Sequence, residues 1–236
     1  MGNGLDLIER LVTYFVPMLL SLTVHEYSHA RMAWWLGDDT ASLQGRMSLN
    51  PLVHIDLIGT IVIPIFGILS GFPFFGWAKP VPTNPVQYRR RLFGRRISMT
   101  AGMALTAAAG PLSNLLFAFV MAASMGVANH FLPPSGDSAP GYTIALRVMA
   151  VNIGLCVFNF FPVPPLDGSR ILYWLTPDRY KPVLDRMVQY SVWLFLGLIL
   201  LMNTSFFGAI FVTPFFLILR GLAALFGLSD VFVRYW

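Results

Sequence analysis

The stretch Val24-His25-Glu26-Tyr27-Ser28-His29-Ala30 places two histidines and a glutamate inside an apolar run from Leu11 to Leu36. We predict one helix over this run, and positions i and i+4 of a helix share a face. His25 and His29 therefore present two imidazoles to one metal ion, with Glu26 beside them. This is the H-E-x-x-H arrangement, in which two histidines bind zinc and the glutamate acts as a general base.

The alternative is a chance match, with the two histidines satisfied by neighbouring polar groups. The chain contains four histidines and only two glutamates, Glu9 and Glu26. A random H-E-x-x-H is then expected in roughly one such chain in two thousand. Ionisable groups at membrane depth are costly and usually functional, which also favours a metal site.

The composition is that of a membrane protein. Of the 236 residues, 56% are hydrophobic and only 11% are charged, whereas about a quarter of a soluble domain is charged. The net charge of +5 lies in short loops, so it indicates membrane orientation and not nucleic-acid binding. We predict an all-α polytopic membrane protein: a bundle of about five to six transmembrane helices with a re-entrant or short element and a small β-strand or hairpin near the active site.

The chain is predicted to form one transmembrane domain over residues 1–236, with a core at 7–175 and a C-terminal helical hairpin at 188–226. No polar stretch is long enough to form an additional soluble domain. The first apolar run lacks a basic region followed by a small-residue cleavage site, so we do not expect a removable signal peptide. The single cysteine, Cys156, excludes an internal disulfide. We expect a multi-pass protein of the cell membrane, specifically a bacterial inner membrane.

Residues 55–75 are apolar but contain three glycines and two prolines. This pattern suits a short or re-entrant element better than a complete span. The next segment, Trp77 to Thr83, is predicted to be a strand with one blocked edge, because Pro80 and Pro82 remove two N–H groups from the same side. The opposite edge can hold an extended substrate by strand addition. A proline-rich surface loop is the alternative.

Two later segments should be broken helices. In Gly110-Pro111-Leu112-Ser113-Asn114 the proline cannot bond the carbonyl of Ala107, so we expect an interruption of the span from Ile97 to His130. The freed carbonyl and the Asn114 amide should face protein or a water-filled cavity. The span from Tyr142 to Phe161 is followed by three prolines, which force an extended segment before Asp167.

A catalytic zinc site needs three protein ligands and an open position. Glu26 is reserved as the base and Glu9 lies more than four turns away, so Asp167, His54 and His130 remain. His130 lies at the outer end of its span and is interpreted as an interfacial side chain. Asp167 is favoured because Zn²⁺, Asp167 and an ionised Glu26 sum to zero charge, which a low-dielectric site tolerates best. A helix N-cap is the alternative for Asp167.

His54 has two interpretations. It is either an ordinary loop or interfacial histidine, or a group that comes near the zinc in the resting enzyme.

The motifs together resemble the site-2 protease family of intramembrane zinc metalloproteases. H-E-Y-S-H, G-P-L-S-N and N-F-F-P-V-P-P-L-D-G occur in that order, and G-W-A-K-P-V resembles the intervening segment of compact members. The resemblance implies one Zn²⁺ per chain held by His25, His29 and Asp167, water activated by Glu26, and Asn159 near the site, polarising the scissile carbonyl. It also implies a metalloendopeptidase that cleaves membrane-protein substrates in or near their transmembrane segments, within the lipid bilayer.

The chain departs from larger members in lacking a PDZ or CBS domain, so their mode of substrate selection does not carry over. Two other functions are consistent with such a bundle. One is a transporter-like protein whose broken helices bind an ion at the midplane. The other is a catalytically dead relative that acts as a binding protein.

The membrane topology follows from the directions of the two helices that carry the metal ligands. His29 and Asp167 must meet at one depth, and similar apolar tails follow both, so their helices run in the same direction. Basic residues follow the second helix and place its end in the cytoplasm. The N-terminus is then outside, residues 37–54 are inside, and residues 55–75 enter and leave on one side. A full crossing by residues 55–75 would reverse the first helix.

Overall fold

A computed structural model describes residues 11–70, 76–92, 94–131, 139–201 and 204–235. These ranges are almost entirely helical, which confirms the predicted all-α class. Their α-helices are α1 Val16–Leu36, α2 Thr40–Leu43, α3 Ile63–Ser70, α4 Met99–Phe131, α5 Ala139–Asn159, α6 Asp167–Leu175, α7 Lys181–Gln189, α8 Ser191–Leu201, α9 Ser205–Phe207, α10 Thr213–Leu225 and α11 Ser229–Tyr235.

Shorter elements connect these helices. The π-helical turns are Leu11–Phe15, Leu57–Val62 and Gly208–Val212, and the 3₁₀ turns are Pro51–His54, Pro85–Gln87 and Asp178–Tyr180. Strands β1 (Arg91–Leu92) and β2 (Arg95–Arg96) pair antiparallel just before α4. They are the one β-ladder among the described residues.

Three helical segments are long and apolar enough to cross a membrane: Met99–Phe131, Gly141–Asn159 and Ser205–Leu225. The Asp178–Gln189 and Ser191–Leu201 pair, bent by 77°, adds a fourth if it is counted as one span. Helix α1 has 21 residues, also enough to cross, with polar residues in its centre. Within the described ranges three or four segments are therefore candidate spans by length and hydropathy, and α1 is a further one by length alone.

Helix α4 lies at the centre and packs against α1, α5 and α6. Small residues in its first half allow close approach. A Cβ at Gly102 would overlap the ring of Tyr88. The second half of α4 packs with α5, α10 and α11 around a buried apolar cluster that includes Met149, Ile153 and Leu219.

The predicted interruption of α4 at Pro111 is wrong. The helix continues for 33 residues with Pro111 inside it. A proline removes one intrahelical hydrogen bond, but tight packing against neighbouring helices can hold the remaining turns in place. The related expectation for Asn114 is confirmed, because its side chain is fully buried against protein.

The segment from Gly76 to Thr83 is extended but is not a strand, so that prediction is wrong. Its amides bond irregular partners: Trp77 N–H donates to the Gly59 carbonyl at 3.1 Å, and Lys79 N–H donates to the His54 carbonyl at 2.9 Å. Buried Ala78 packs on Met18 of α1. The Lys79 amide, on the edge predicted to hold a substrate, therefore already has an acceptor within the chain.

Residues 160–166, between α5 and α6, are not helical, but they form turns and bends and not the predicted extended segment; Leu166 N–H donates to the Val163 carbonyl at 2.9 Å. Helix α6 starts at Asp167, and its second residue, Gly168, packs against the non-helical segment at Phe160 and Phe161. A Cβ at Gly168 would overlap the carbonyl oxygens of Phe160 and Phe161. Glycine at this position lets the broken segment fold back closely enough to aim Asp167 into the bundle.

Candidate metal centre

Three side chains from two helices converge in the centre of the bundle. His25 and His29 lie one turn apart on α1, and Asp167 is the first residue of α6. The two Nε2 atoms are 3.0 Å apart. Oδ2 of Asp167 lies 3.2 Å from Nε2 of His25 and 3.3 Å from Nε2 of His29. Among the described residues these form the one group of His, Cys, Asp or Glu that could hold a metal ion.

The triangle of donor atoms has the size that a tetrahedral zinc site requires. Zinc binds His nitrogen and carboxylate oxygen at about 2.0–2.2 Å, which separates neighbouring donors by about 3.4 Å. The observed separations of 3.0, 3.2 and 3.3 Å are close to that value. Two neutral imidazoles and one carboxylate are also a typical donor set for catalytic zinc. The residues present therefore fit a zinc ion.

Each imidazole is oriented by a hydrogen bond on its far side. Nδ1 of His25 lies 2.6 Å from Oδ1 of Asn114, and Nδ1 of His29 lies 2.7 Å from the carbonyl oxygen of Thr106. Both partners are acceptors, so each Nδ1 carries the proton and each Nε2 has a lone pair facing the triangle. Helix α4 thus sets the tautomer of both rings.

A buried polar network fixes Asn114 in turn. Its Nδ2 donates to Oδ1 of Asn152 at 2.7 Å and to the carbonyl of Ser21 at 3.1 Å. Nδ2 of Asn152 donates to Oγ of Ser21 at 2.7 Å. All three residues have no exposed surface. With both acceptors facing Nδ2, the amide of Asn114 must present its oxygen to His25.

Asn152 was missed by sequence reasoning. The one signal was an asparagine in the middle of the apolar span of α5, where an unpaired amide would be costly. Sequence alone does not say that it faces Asn114 of α4, 38 residues earlier.

Gly110 makes room for the imidazoles. A Cβ at this position would lie 2.5 Å from Nε2 of His29 and 2.6 Å from Cε1 of His25. These distances are far below van der Waals contact. A side chain at residue 110 would displace both rings, so the glycine of G-P-L-S-N has a steric role at the site.

Asp167 does not act as a helix N-cap. The N-cap of α6 is Leu166, and Asp167 is the first helical residue. Its carboxylate points to the two histidines. The N-cap alternative is therefore wrong.

Glu26 lies next to the histidines and is 9% exposed. Its Oε2 accepts a hydrogen bond of 2.8 Å from the backbone N–H of Val81. The carboxylate is therefore hydrogen-bonded to the extended segment from Gly76 to Thr83. Glu26 is not a member of the metal-binding group of His25, His29 and Asp167.

The structure also gives the contacts of Asn159, His54 and His130. Asn159, the last residue of α5, donates from Nδ2 to the Leu155 carbonyl of its own helix at 3.0 Å. His54 is buried, with Nε2 2.8 Å from the Ser48 carbonyl, and it does not belong to the metal-binding group. His130, in the last turn of α4, packs against Phe131 with ring centroids 5.0 Å apart. The ordinary interpretation of His54 is therefore favoured.

Comparison with known proteins gives several relatives that align over most of this chain. YwhC of Bacillus subtilis, which is named as a zinc metalloprotease, is 35% identical over 197 residues, which cover 82% of this chain and 81% of YwhC. Rip2 of Mycolicibacterium smegmatis, also named as a zinc metalloprotease, is 27% identical over 208 residues, covering 85% of this chain and 70% of Rip2. Rip2 of Mycobacterium tuberculosis H37Rv is also 27% identical, covering 82% and 69%. No protein-family model matches the chain, and no solved structure matches it.

A helical membrane bundle with an H-E-x-x-H helix and a converging aspartate has the architecture of a membrane metalloprotease that uses zinc. The relatives carry the same activity in their names. The chain belongs to the site-2 protease family of zinc metalloproteases.

Proposed function

We propose that the protein is an intramembrane metalloendopeptidase of the cell membrane that hydrolyses peptide bonds in or next to transmembrane segments of membrane-protein substrates. It works as a single transmembrane domain with one zinc ion per chain. The observation that carries this proposal is the set of three donor atoms 3.0–3.3 Å apart at the centre of a helical bundle.

His25, His29 and Asp167 are the proposed zinc ligands. Zinc at this site supplies Lewis acidity, which polarises the scissile carbonyl and makes the attacking water more acidic. The contacts with Oδ1 of Asn114 and the Thr106 carbonyl hold both imidazoles with Nε2 toward the proposed zinc position. Ligands that are oriented before the metal binds pay little reorganisation energy.

Glu26 is the proposed general base. Its carboxylate takes a proton from the attacking water and then passes it to the leaving amine. The Val81 amide holds Oε2, so Oε1 is the oxygen with the fewer constraints for this transfer. Asn159 is proposed to polarise the scissile carbonyl, and its amide must leave the Leu155 carbonyl to do so.

The substrate must be unwound before cleavage, because a helix hides its peptide bonds in its own hydrogen bonds. Strand addition at the Lys79 and Val81 amides would require both to leave their present acceptors. We therefore do not assign substrate pairing to that edge in the arrangement described.

The test uses purified protein in proteoliposomes with a transmembrane reporter substrate. Glu26→Gln should keep one zinc per chain and lose proteolysis by about a thousandfold or more. Glu9→Gln, the same change at the other glutamate, is the matched control and should cleave normally. Equal loss of zinc and proteolysis in Glu26→Gln would place Glu26 in the metal shell. Metal binding without cleavage by the wild type would favour a transporter-like or inactive protein.

A further inference from the structure

A cavity of about 480 Å³ lies between the first half of α4 and helix α6. Its walls are apolar. They comprise Ala101, Ala104 and Ala108 of α4 together with Ile171 and Trp174 of α6. Helices α4 and α6 run in opposite directions here, because Asp167 at the start of α6 lies near Gly110, well inside α4.

Two arginines of β2, Arg95 and Arg96, line the end of this cavity at the start of α4. Both are exposed. Arg96 donates from Nη2 to the Tyr88 carbonyl at 3.1 Å. Within the described part of the chain, neither arginine forms an ion pair with a carboxylate. Their positive charge is therefore not neutralised by the protein.

The cavity and the metal centre lie on different sides of α4. The Cβ position of Gly110 faces the histidines, whereas Ala104 and Ala108 face the cavity. Residues two apart on a helix point about 200° away from each other. The backbone of α4 thus separates the cavity from the bond-cleaving groups, which disfavours a substrate peptide as its occupant.

We propose that this cavity is a binding site for one anionic phospholipid, with the phosphate on Arg95 and Arg96 and an acyl chain along the alanines of α4. Basic pockets between transmembrane helices on the cytoplasmic side bind anionic head groups. Trp174, which is 48% exposed at the same end, is the residue type enriched at membrane interfaces. Charge complementarity and an apolar wall thus occur in one cavity.

The site has a direct connection to the metal centre through α6. Ile171 lies one turn after Asp167, so both residues and Trp174 occupy one face of that helix. A lipid that fills the space between α4 and α6 supports the position of Asp167. The binding claim itself does not depend on the proposed proteolysis.

The test measures quenching of tryptophan fluorescence by phosphatidylglycerol with brominated acyl chains, titrated into phosphatidylcholine vesicles that contain the protein. The part of the fluorescence that is absent from the Trp174→Phe variant comes from Trp174, so its quenching reports lipid in the cavity. We expect saturable quenching of this component by brominated phosphatidylglycerol and little by brominated phosphatidylcholine. Arg95→Gln with Arg96→Gln should weaken it by about 25-fold, since each cation near an anionic head group contributes about fivefold.

Two matched variants separate a site from general attraction to a basic loop. Arg89→Gln with Arg91→Gln removes the same charge from neighbouring positions that do not line the cavity, and it should bind as the wild type does. Arg95→Lys with Arg96→Lys keeps the charge and should keep binding, which guards against misfolding of the glutamine variant. Equal weakening by both glutamine pairs, or equal quenching by both lipids, would overturn the proposal. The proposal would also be overturned if the fluorescence of Trp174 changed on binding a transmembrane peptide with an aspartate-rich flank but did not respond to phosphatidylglycerol.

Discussion

Glu26 and Val81 are 55 residues apart in the sequence and are joined by a hydrogen bond of 2.8 Å, from the backbone N–H of Val81 to Oε2 of Glu26. The two neighbours of Val81 are Pro80 and Pro82, which have no N–H. Val81 therefore supplies the one amide donor at this point of the extended segment. A charged acceptor makes this bond stronger than a neutral one.

The first prediction is that Val81→Pro lowers the rate of proteolysis by about tenfold and leaves the zinc content unchanged. Removing the N–H takes away a hydrogen bond to a charged group, worth about 1.5–3 kcal/mol. Val81→Ala removes the side chain but keeps the amide, so it is the matched control. Rates and zinc content are compared for both variants in proteoliposomes. An unchanged rate in Val81→Pro would mean that the amide does not position the base.

The pair also illustrates what sequence patterns can and cannot predict. The alternation of prolines predicts which edge of the segment carries amides, and the structure agrees. It does not predict that this edge faces inward toward α1, because the direction depends on Ala78 packing against Met18. The alternation of prolines therefore predicts correctly which amides of the segment can donate. It does not predict their acceptors, which lie within the chain and not on a substrate.

The convergence of His25, His29 and Asp167 was more predictable. Helical periodicity places the two histidines on one face, and few other ligands exist in so apolar a chain. Continuity of α4 through Pro111 was not predictable, because it depends on packing by three surrounding helices. The same reason explains why Asn152 was missed.

The second prediction concerns Asp167. Asp167→Ala removes the carboxylate that lies 3.2 and 3.3 Å from the two Nε2 atoms. Zinc affinity should fall by at least about 100-fold, since loss of an outer hydrogen bond alone costs 10–100-fold. Elemental analysis at buffered free zinc measures the zinc content, with Asp230→Ala, a change at an exposed aspartate of α11, as the matched control. Full zinc occupancy in a folded Asp167→Ala protein would exclude Asp167 as a ligand.

The third prediction is that Asn152→Leu weakens zinc binding by about tenfold although Asn152 touches no ligand. The change removes the acceptor that holds Nδ2 of Asn114, so the amide oxygen facing His25 is no longer fixed. Asn114→Leu should cost more, about 100-fold, because it removes the bond to His25 itself.

Asn129→Leu near the end of α4 is the control for this series, since it makes the same change outside the network. Zinc competition with a chelator gives the affinities. The visible spectrum of the cobalt-substituted protein reports the geometry around the metal, which a purely structural role of Asn152 would leave unaltered. Identical spectra and affinities in Asn152→Leu and Asn129→Leu would remove Asn152 from the site.

The fourth prediction is the membrane topology, with the N-terminus outside and residues 37–54 in the cytoplasm. The described part of residues 55–75 supports a re-entrant path. Its apolar helix Leu57–Gly67 is shorter than a span, and the chain returns so that Trp77 N–H donates to the Gly59 carbonyl at 3.1 Å. Cysteine labelling from either side decides it, using Gly4→Cys and Ser42→Cys in a chain whose Cys156 has been replaced. We expect Gly4→Cys to react from outside and Ser42→Cys from the cytoplasm, because the basic loop after α6 fixes the direction of α1 through the shared metal centre. Reaction of Gly4→Cys from the cytoplasmic face alone would mean that residues 55–75 cross completely.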